Sequence, residues 1–101
     1  MPTAEYKRIL LKDLKRIKYA AGYLNAALDE GEETFLLALR DVVEAHGGIS
    51  SLSRITKLNR ENLYDMLSRT GNPRLRSITA ILDQLGLGLS FKPKPRKARA
   101  A

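Results

Sequence analysis

The sequence contains no cysteine and no tryptophan, and it has a single histidine, His46. The missing thiols exclude a disulfide scaffold, a thiolate zinc site and thiol catalysis. A structural metal site needs three or four ligands, so we expect no metal here. His46 instead fits the C-terminal end of a helix, where a cation is favoured. Catalytic triads, carboxylate pairs and phosphate-loop motifs are also missing, so we predict a protein that is not an enzyme and takes no cofactor.

Long hydrophobic runs are lacking too. No apolar stretch approaches the roughly 20 residues that span a bilayer, and the N-terminal residues have no apolar core of a secretory signal. We therefore expect a soluble, cytoplasmic protein. The chain has 101 residues, of which 44% are hydrophobic, which suits one domain with its own core.

Charge is unevenly distributed along the chain. Lys and Arg number 18 against 11 acidic residues, a net charge of +7 that favours an anionic partner such as nucleic acid. Residues 1–18 carry +4, residues 29–44 carry −5, residues 54–76 carry +4, and residues 92–99 add five positive charges. The acidic segment is either a solvated helix face or a surface for a basic partner. The basic tail is either solvated and without a role, an arm for the DNA backbone, or a membrane contact.

Hydrophobic spacing predicts five helices. The predicted helices run from about Ile17 to a stop at Gly31, from Glu32 to Gly47, from a cap at Ser50 through Leu52 and Ile55, from Arg60 to Leu67 after a cap at Asn59, and from Leu75 to a stop at Gly86. Their inner faces are predicted to include Leu28, Ile55 and Leu75. A hydrophobic staple between Leu58 and Leu63 is also predicted.

The two ends of the chain are predicted to differ from this helical part. Residues 6–17 fit either a strand or a helix, and we favour an extended, basic N-terminal segment over residues 1–16. Leu87, Leu89 and Phe91 alternate with small or polar residues, which indicates a short strand. The predicted fold is therefore all-α, a five-helix domain over residues 17–91, with a short C-terminal strand and a disordered basic tail over residues 92–101.

Residues 50–69 carry the functional signal. A short helix, a three-residue break and a second helix predict a steep crossing that leaves the second helix protruding. Such a helix fits the major groove of DNA. The alternative is an ordinary helical hairpin with a polar surface. The surrounding basic residues favour DNA, because phosphate neutralisation supplies much of the affinity.

The outward residues of the second helix suit base recognition. Arg60 is placed to grip guanine, Glu61 to accept from cytosine or to hold Arg60, and Tyr64 to pack on a thymine methyl or bond a phosphate. The predicted DNA-binding residues are Ser50, Ser51, Arg54, Lys57, Asn59, Arg60, Glu61, Tyr64, Asp65, Arg69 and Arg74.

Several stretches resemble the addiction-module antidote family, the helix-turn-helix antitoxins of bacterial toxin–antitoxin operons, which are related to phage-repressor-like DNA-binding domains. The similar stretches are residues 21–31, 35–43, 47–50, 58–67, 71–74 and 85–91. In three places the sequence departs from the family pattern. Ser53 stands where the motif usually has alanine, Lys57 where the tight turn usually has glycine, and residues 15–18 where an Asp-Pro step usually precedes the first helix.

The resemblance implies that the five-helix domain is a repressor-like helix-turn-helix domain. The same resemblance implies a protein that neutralises a small ribonuclease-like toxin and represses their shared operon as a dimer. It also implies a basic toxin, for which Glu32, Glu33 and Glu44 are the predicted binding residues. Dimerisation is predicted through Leu87, Leu89 and Phe91, which alternatively seal the core of a single copy. Two alternative functions remain, a stand-alone phage-type repressor and an interaction adaptor that has lost DNA binding. The expected partners are operator DNA, with the protein on the nucleoid when bound, the cognate toxin and a second copy.

Overall fold

A computed structural model of the chain describes residues 3–95. Within that range the protein is all-α, as predicted, but it has six helices and no strand. The helices are α1 (Ala4–Leu14), α2 (Ile17–Glu30), α3 (Glu32–Ala45), α4 (Gly48–Thr56), α5 (Arg60–Met66) and α6 (Leu75–Gln84). No helix in this range combines the length and apolarity that crossing a membrane requires.

The N-terminal segment is helical, so the extended conformation favoured for it is wrong. Thr3 caps α1, since its hydroxyl oxygen accepts a hydrogen bond from the Tyr6 N–H at 3.0 Å. At the other end of α1, Leu14 is fully buried. The helix is thus fixed by a cap and by the packing of its last turn, neither of which the apolar run Ile9–Leu11 reveals.

His46 ties the end of α1 to the end of α3. It is the C-terminal cap of α3, the position that the sequence predicts for it. Its Nε2 lies 2.9 Å from the Leu14 carbonyl oxygen, and because a carbonyl only accepts, the ring nitrogen must carry the proton. This bond satisfies one of the carbonyls that the end of a helix leaves without an intrahelical partner.

Residues 87–91 form no strand, and this prediction is wrong. The Leu87 N–H donates to the Leu82 carbonyl at 2.8 Å, and the Gly86 N–H donates to the Asp83 carbonyl at 3.1 Å. With Gly86 at φ 81°, these bonds end α6 in a Schellman motif. Within the part of the chain that the structure describes, no strand lies beside residues 87–91, because the N-terminal segment that offered a pairing edge is helical.

The core lies around α3, which contributes more buried residues than any other helix. Leu39 and Val42 are fully buried there, among apolar side chains from all the other helices. Three residues predicted to face inward are instead exposed: Leu28 by 49%, Ile55 by 54% and Leu75 by 69%. Each lies within three residues of a helix end, where the chain turns away from the core that the mid-helix positions fill.

The start of α4 also differs from the prediction. The helix begins at Gly48 with Gly47 as its N-cap, so Ser50 lies inside the helix and is not a cap. Ile49 and Leu52 then occupy the inward positions.

Candidate nucleic-acid interface

Helices α4 and α5 are joined by three residues, 57–59, as the sequence predicts. Lys57 has φ 64° and ψ 10°, and it is the one non-glycine residue with positive φ among residues 3–95. The lysine therefore adopts the left-handed conformation that suits the glycine usual at this position. Such a conformation costs a residue with a side chain roughly 1–2 kcal/mol.

The unusual serine at position 53 bridges this strained turn. Its hydroxyl donates to the Leu58 carbonyl at 2.6 Å, and the Thr56 hydroxyl oxygen accepts from the Leu58 N–H at 3.3 Å. Two of the three departures from the family pattern thus meet at this turn: Lys57 lies in it, and the Ser53 hydroxyl bonds to it from α4. The serine supplies a hydrogen bond that alanine lacks, at the turn where lysine introduces the strain.

Helix α5 is short and depends on its neighbours. Asn59 caps it, accepting from the Glu61 and Asn62 N–H groups at 2.8 and 3.2 Å, as predicted. Leu63 is fully buried, and Leu58 packs against the same core, consistent with the predicted staple. Because seven residues are too few for a stable isolated helix, this packing holds α5 in place.

Gly71 fixes the chain that leaves α5. A Cβ atom built at Gly71 lies 2.6 Å from the Asp65 carbonyl oxygen and closer still to that of Met66. Only glycine therefore allows the backbone to pass this near to the last turn of α5.

The predicted DNA-binding residues lie along α4, the turn, α5 and the segment before α6. All are exposed except Ser51, which is half-buried. Their places are α4 for Ser50, Ser51 and Arg54, the turn for Lys57 and Asn59, α5 for Arg60, Glu61, Tyr64 and Asp65, and the segment after α5 for Arg69 and Arg74. An open cleft of about 580 Å³ beside α5 brings Asn59, Asp65 and Arg74 to one surface.

None of the charged side chains in residues 48–76 forms an ion pair within residues 3–95. The five ion pairs of this range join Lys7 to Asp41 and to Glu44, Arg8 to Glu5, Arg16 to Asp13, and Lys92 to Asp29. Glu61 therefore does not pair with Arg60, one of the two roles considered for it. The basic residues of the α4–turn–α5 unit remain available to an external anion.

Sequence reasoning missed Arg40 on α3. Its guanidinium carbon lies 5.5 Å from the centre of the Tyr64 ring, and that of Arg60 lies 5.9 Å from the same ring. Both distances are within the range of a cation–π contact. A sequence signal existed, because Arg40 is the one basic residue among residues 29–44.

The three predicted toxin-binding residues are not brought together. Glu32 and Glu33 lie in the first turn of α3, whereas Glu44 lies near its other end, roughly 18 Å away at 1.5 Å per residue. Lys7 of α1 also pairs with Glu44 at 3.5 Å and with Asp41 at 3.9 Å. The basic N-terminal helix therefore neutralises one end of the acidic segment.

Besides its ion pair with Lys7, the Asp41 carboxylate accepts a hydrogen bond from the Tyr23 hydroxyl of α2 at 2.8 Å. Burial, followed by this hydrogen bond and the nearby Asp41 charge, raises the pKa of Tyr23 above its ordinary value. The phenol therefore stays protonated and keeps donating. Among residues 3–95, no three His, Asp or Glu side chains are grouped closely enough to hold a metal.

The predicted dimer residues divide into two kinds. Leu87 packs against the core, while Leu89 is 48% and Phe91 98% exposed. A groove of about 240 Å³ lies between α2, α3 and this segment, and Leu28, Phe35 and Leu89 line it. The predicted tail lies partly outside the described residues, which end at residue 95.

The chain belongs to the family described as probable addiction module antidote protein, which it matches over residues 8–93. The match includes α2–α6 and most of α1. A similar protein from Haemophilus influenzae, described as uncharacterized, is 38% identical over 66 residues, covering 64% of this chain and 67% of that protein. No solved structure matches. The family resemblance inferred from the sequence is thereby confirmed.

Proposed function

We propose that the protein is an antitoxin that binds duplex DNA through α4 and α5, represses its own operon as a dimer, and neutralises a small ribonuclease-like toxin. The observation that carries the DNA-binding part is the set of exposed, unpaired cations on the α4–turn–α5 unit. In the same described range, basic residues of α1, of the link between α1 and α2, and of the C-terminal segment do form ion pairs. In this proposal the unit is a helix-turn-helix, and its basic residues contact phosphates and bases.

In this proposal Arg60 reads a base, while Arg54, Lys57, Arg69 and Arg74 contact the backbone. The test is fluorescence anisotropy with a labelled duplex taken from the DNA immediately upstream of the gene. Arg60→Ala should weaken binding by ~1–3 kcal/mol and relax the preference at one base pair. A backbone contact should instead weaken all sequences alike.

The matched control is Arg8→Ala, which removes an exposed arginine on α1 that is paired with Glu5. It should leave operator affinity nearly unchanged. If an Arg60→Ala, Arg69→Ala double variant binds the operator as tightly as the natural protein, then α5 and the segment after it are not the DNA-binding surface.

Neutralisation of the toxin is proposed to use the acidic end of α3. Glu32 and Glu33 are exposed and have no ion-pair partner within residues 3–95. Reversal of both to lysine should slow association with a basic toxin more than it speeds dissociation. Co-purification with the product of the neighbouring gene provides the complex. If the charge-reversed variant associates with the toxin as fast as the natural protein does, electrostatic steering is not part of the interaction.

Dimerisation is proposed through the exposed side chains of Leu89 and Phe91. Helix-turn-helix proteins usually bind two half-sites about 34 Å apart, or a multiple of that distance, so two copies must be joined. Truncation after Gly86 would delete the Leu87 N–H that ends α6, so a Leu89→Ser, Phe91→Ser variant is the sharper test. It should stay folded by circular dichroism yet sediment as a monomer, and continued dimerisation would refute this interface.

One observation favours the second candidate, a stand-alone repressor without a toxin. The predicted toxin-binding glutamates lie apart on α3, and Glu44 is already paired with Lys7. A toxin reading frame next to the gene, and a stable complex with its product, would decide for the antitoxin. DNA binding without any complex would decide for the repressor.

A further inference from the structure

Arg40 lies in the most acidic part of the chain and pairs with none of its carboxylates. Residues 29–44 hold six acidic side chains, and Asp41 and Glu44 follow Arg40 at one and four positions along α3. The i, i+4 spacing normally permits an ion pair on a helix. Within residues 3–95 Glu44 instead pairs with Lys7 at 3.5 Å.

The guanidinium of Arg40 packs against Tyr64 of α5. It lies 5.5 Å from the centre of the Tyr64 ring, on the same ring that Arg60 approaches to 5.9 Å. Two like charges near one ring repel each other, so the arrangement favours an anion close by. Tyr64 is 41% exposed, and its hydroxyl makes no hydrogen bond within the described range, which leaves it free to donate.

We infer that Arg40 and Tyr64 together bind one phosphodiester of the DNA backbone, and that Lys7 keeps Arg40 available by neutralising Glu44. This rests on the proposed DNA binding. The ring holds the Arg40 side chain in place, so less side-chain freedom is lost when the phosphate binds. Arg60 packs on the same ring and remains directed to the bases. Lys7 is a positioning residue, because it acts on Arg40 through Glu44 without contacting DNA.

The first experiment measures anisotropy over a range of salt concentrations, with the upstream duplex and with a mixed-sequence duplex. Arg40→Gln should weaken both complexes roughly tenfold, the loss typical of a hydrogen bond to a charged group. The slope of log K against log salt should become less steep by about 0.9, which corresponds to one phosphate. Arg40→Lys should keep the slope but lose part of the affinity. Arg8→Gln, which removes the same charge from α1, should change neither complex appreciably.

The second experiment tests the role of Lys7. Lys7→Met should weaken DNA binding, because Glu44 then becomes free to pair with Arg40. Adding Glu44→Gln should restore the affinity. Adding Glu33→Gln, which changes the net charge equally at the far end of α3, should not restore it. Urea midpoints measured for every variant separate these effects from unfolding.

The possible failures are distinguishable. A natural protein that binds neither duplex overturns the proposed DNA binding, and this inference with it. If the natural protein binds but Arg40→Gln leaves the affinity and the salt slope unchanged, the phosphate contact is overturned alone. Equal rescue of Lys7→Met by Glu44→Gln and Glu33→Gln would reduce the role of Lys7 to net charge and overturn the positioning.

Discussion

Replacing Lys57 by glycine should stabilise the fold while weakening DNA binding. At φ 64° and ψ 10°, a residue with a side chain is less stable than glycine by roughly 1–2 kcal/mol. Roughly 0.5–1 kcal/mol of the stability gained by relieving this strain is offset, because glycine has more conformational freedom than lysine in the unfolded chain. A net gain of about 0.5–1 kcal/mol remains. For a domain of this size, about 4–8 °C accompany each kcal/mol, so Tm should rise by several degrees.

The assay is thermal and urea unfolding followed by circular dichroism, with Lys57→Ala as the matched control. Alanine removes the same charge but keeps the strain, so the difference between the two variants isolates the backbone. DNA binding should weaken equally in both, with a salt slope less steep by about 0.9 if Lys57 contacts a phosphate. Equal urea midpoints for Lys57→Ala and Lys57→Gly would refute the assignment of strain to this turn.

The remaining predictions concern three other contacts. Ser53→Ala removes the 2.6 Å bond to the Leu58 carbonyl and should cost about 1 kcal/mol. The cost should be smaller in the Lys57→Gly background, and a double-mutant cycle of urea midpoints that shows no coupling would contradict this. Gly71→Ala should destabilise by about 1–3 kcal/mol because its methyl group meets backbone oxygens of α5, whereas Gly22→Ala, with nothing within 4 Å, should be neutral or stabilising. The pKa of Tyr23 is raised in the folded state from the ordinary value of 10.0, so its contribution to stability is complete below about pH 10 and is lost as the pH rises further. Tyr23→Phe should therefore be less stable at pH 7 but lose less stability above pH 10, and parallel stability–pH curves would contradict this.

Local chemistry made part of this structure predictable. The Asn59 cap, the break at residues 57–59 and the stop at Gly86 each depend on a few neighbouring residues. Their signals are therefore contained in short stretches of sequence. The same holds for the family match, whose motif residues lie within single helices and turns.

Contacts between distant segments were not predictable. The end of α1 is held by His46, which lies 32 residues from Leu14. The apolar run Ile9–Leu11 by itself was too short to distinguish a helical from an extended pattern. The alternation from Leu87 to Phe91 resembled a strand, but no second strand exists to pair with it within the described residues. Arg40 joins the candidate site only because α3 passes beside Tyr64.

The length of α5 limits what one copy of the protein recognises. Seven residues make a helix about 10 Å long, and base pairs are stacked about 3.4 Å apart, so the helix spans about three base pairs. A given sequence of three base pairs recurs by chance about once in every 64 positions, while a genome offers about a million or more competing sites. Under the proposed function, a single copy would therefore be spread over the chromosome. To find one operator, the protein needs a second copy of α5 at a fixed spacing along the DNA, or it must be retained close to its gene.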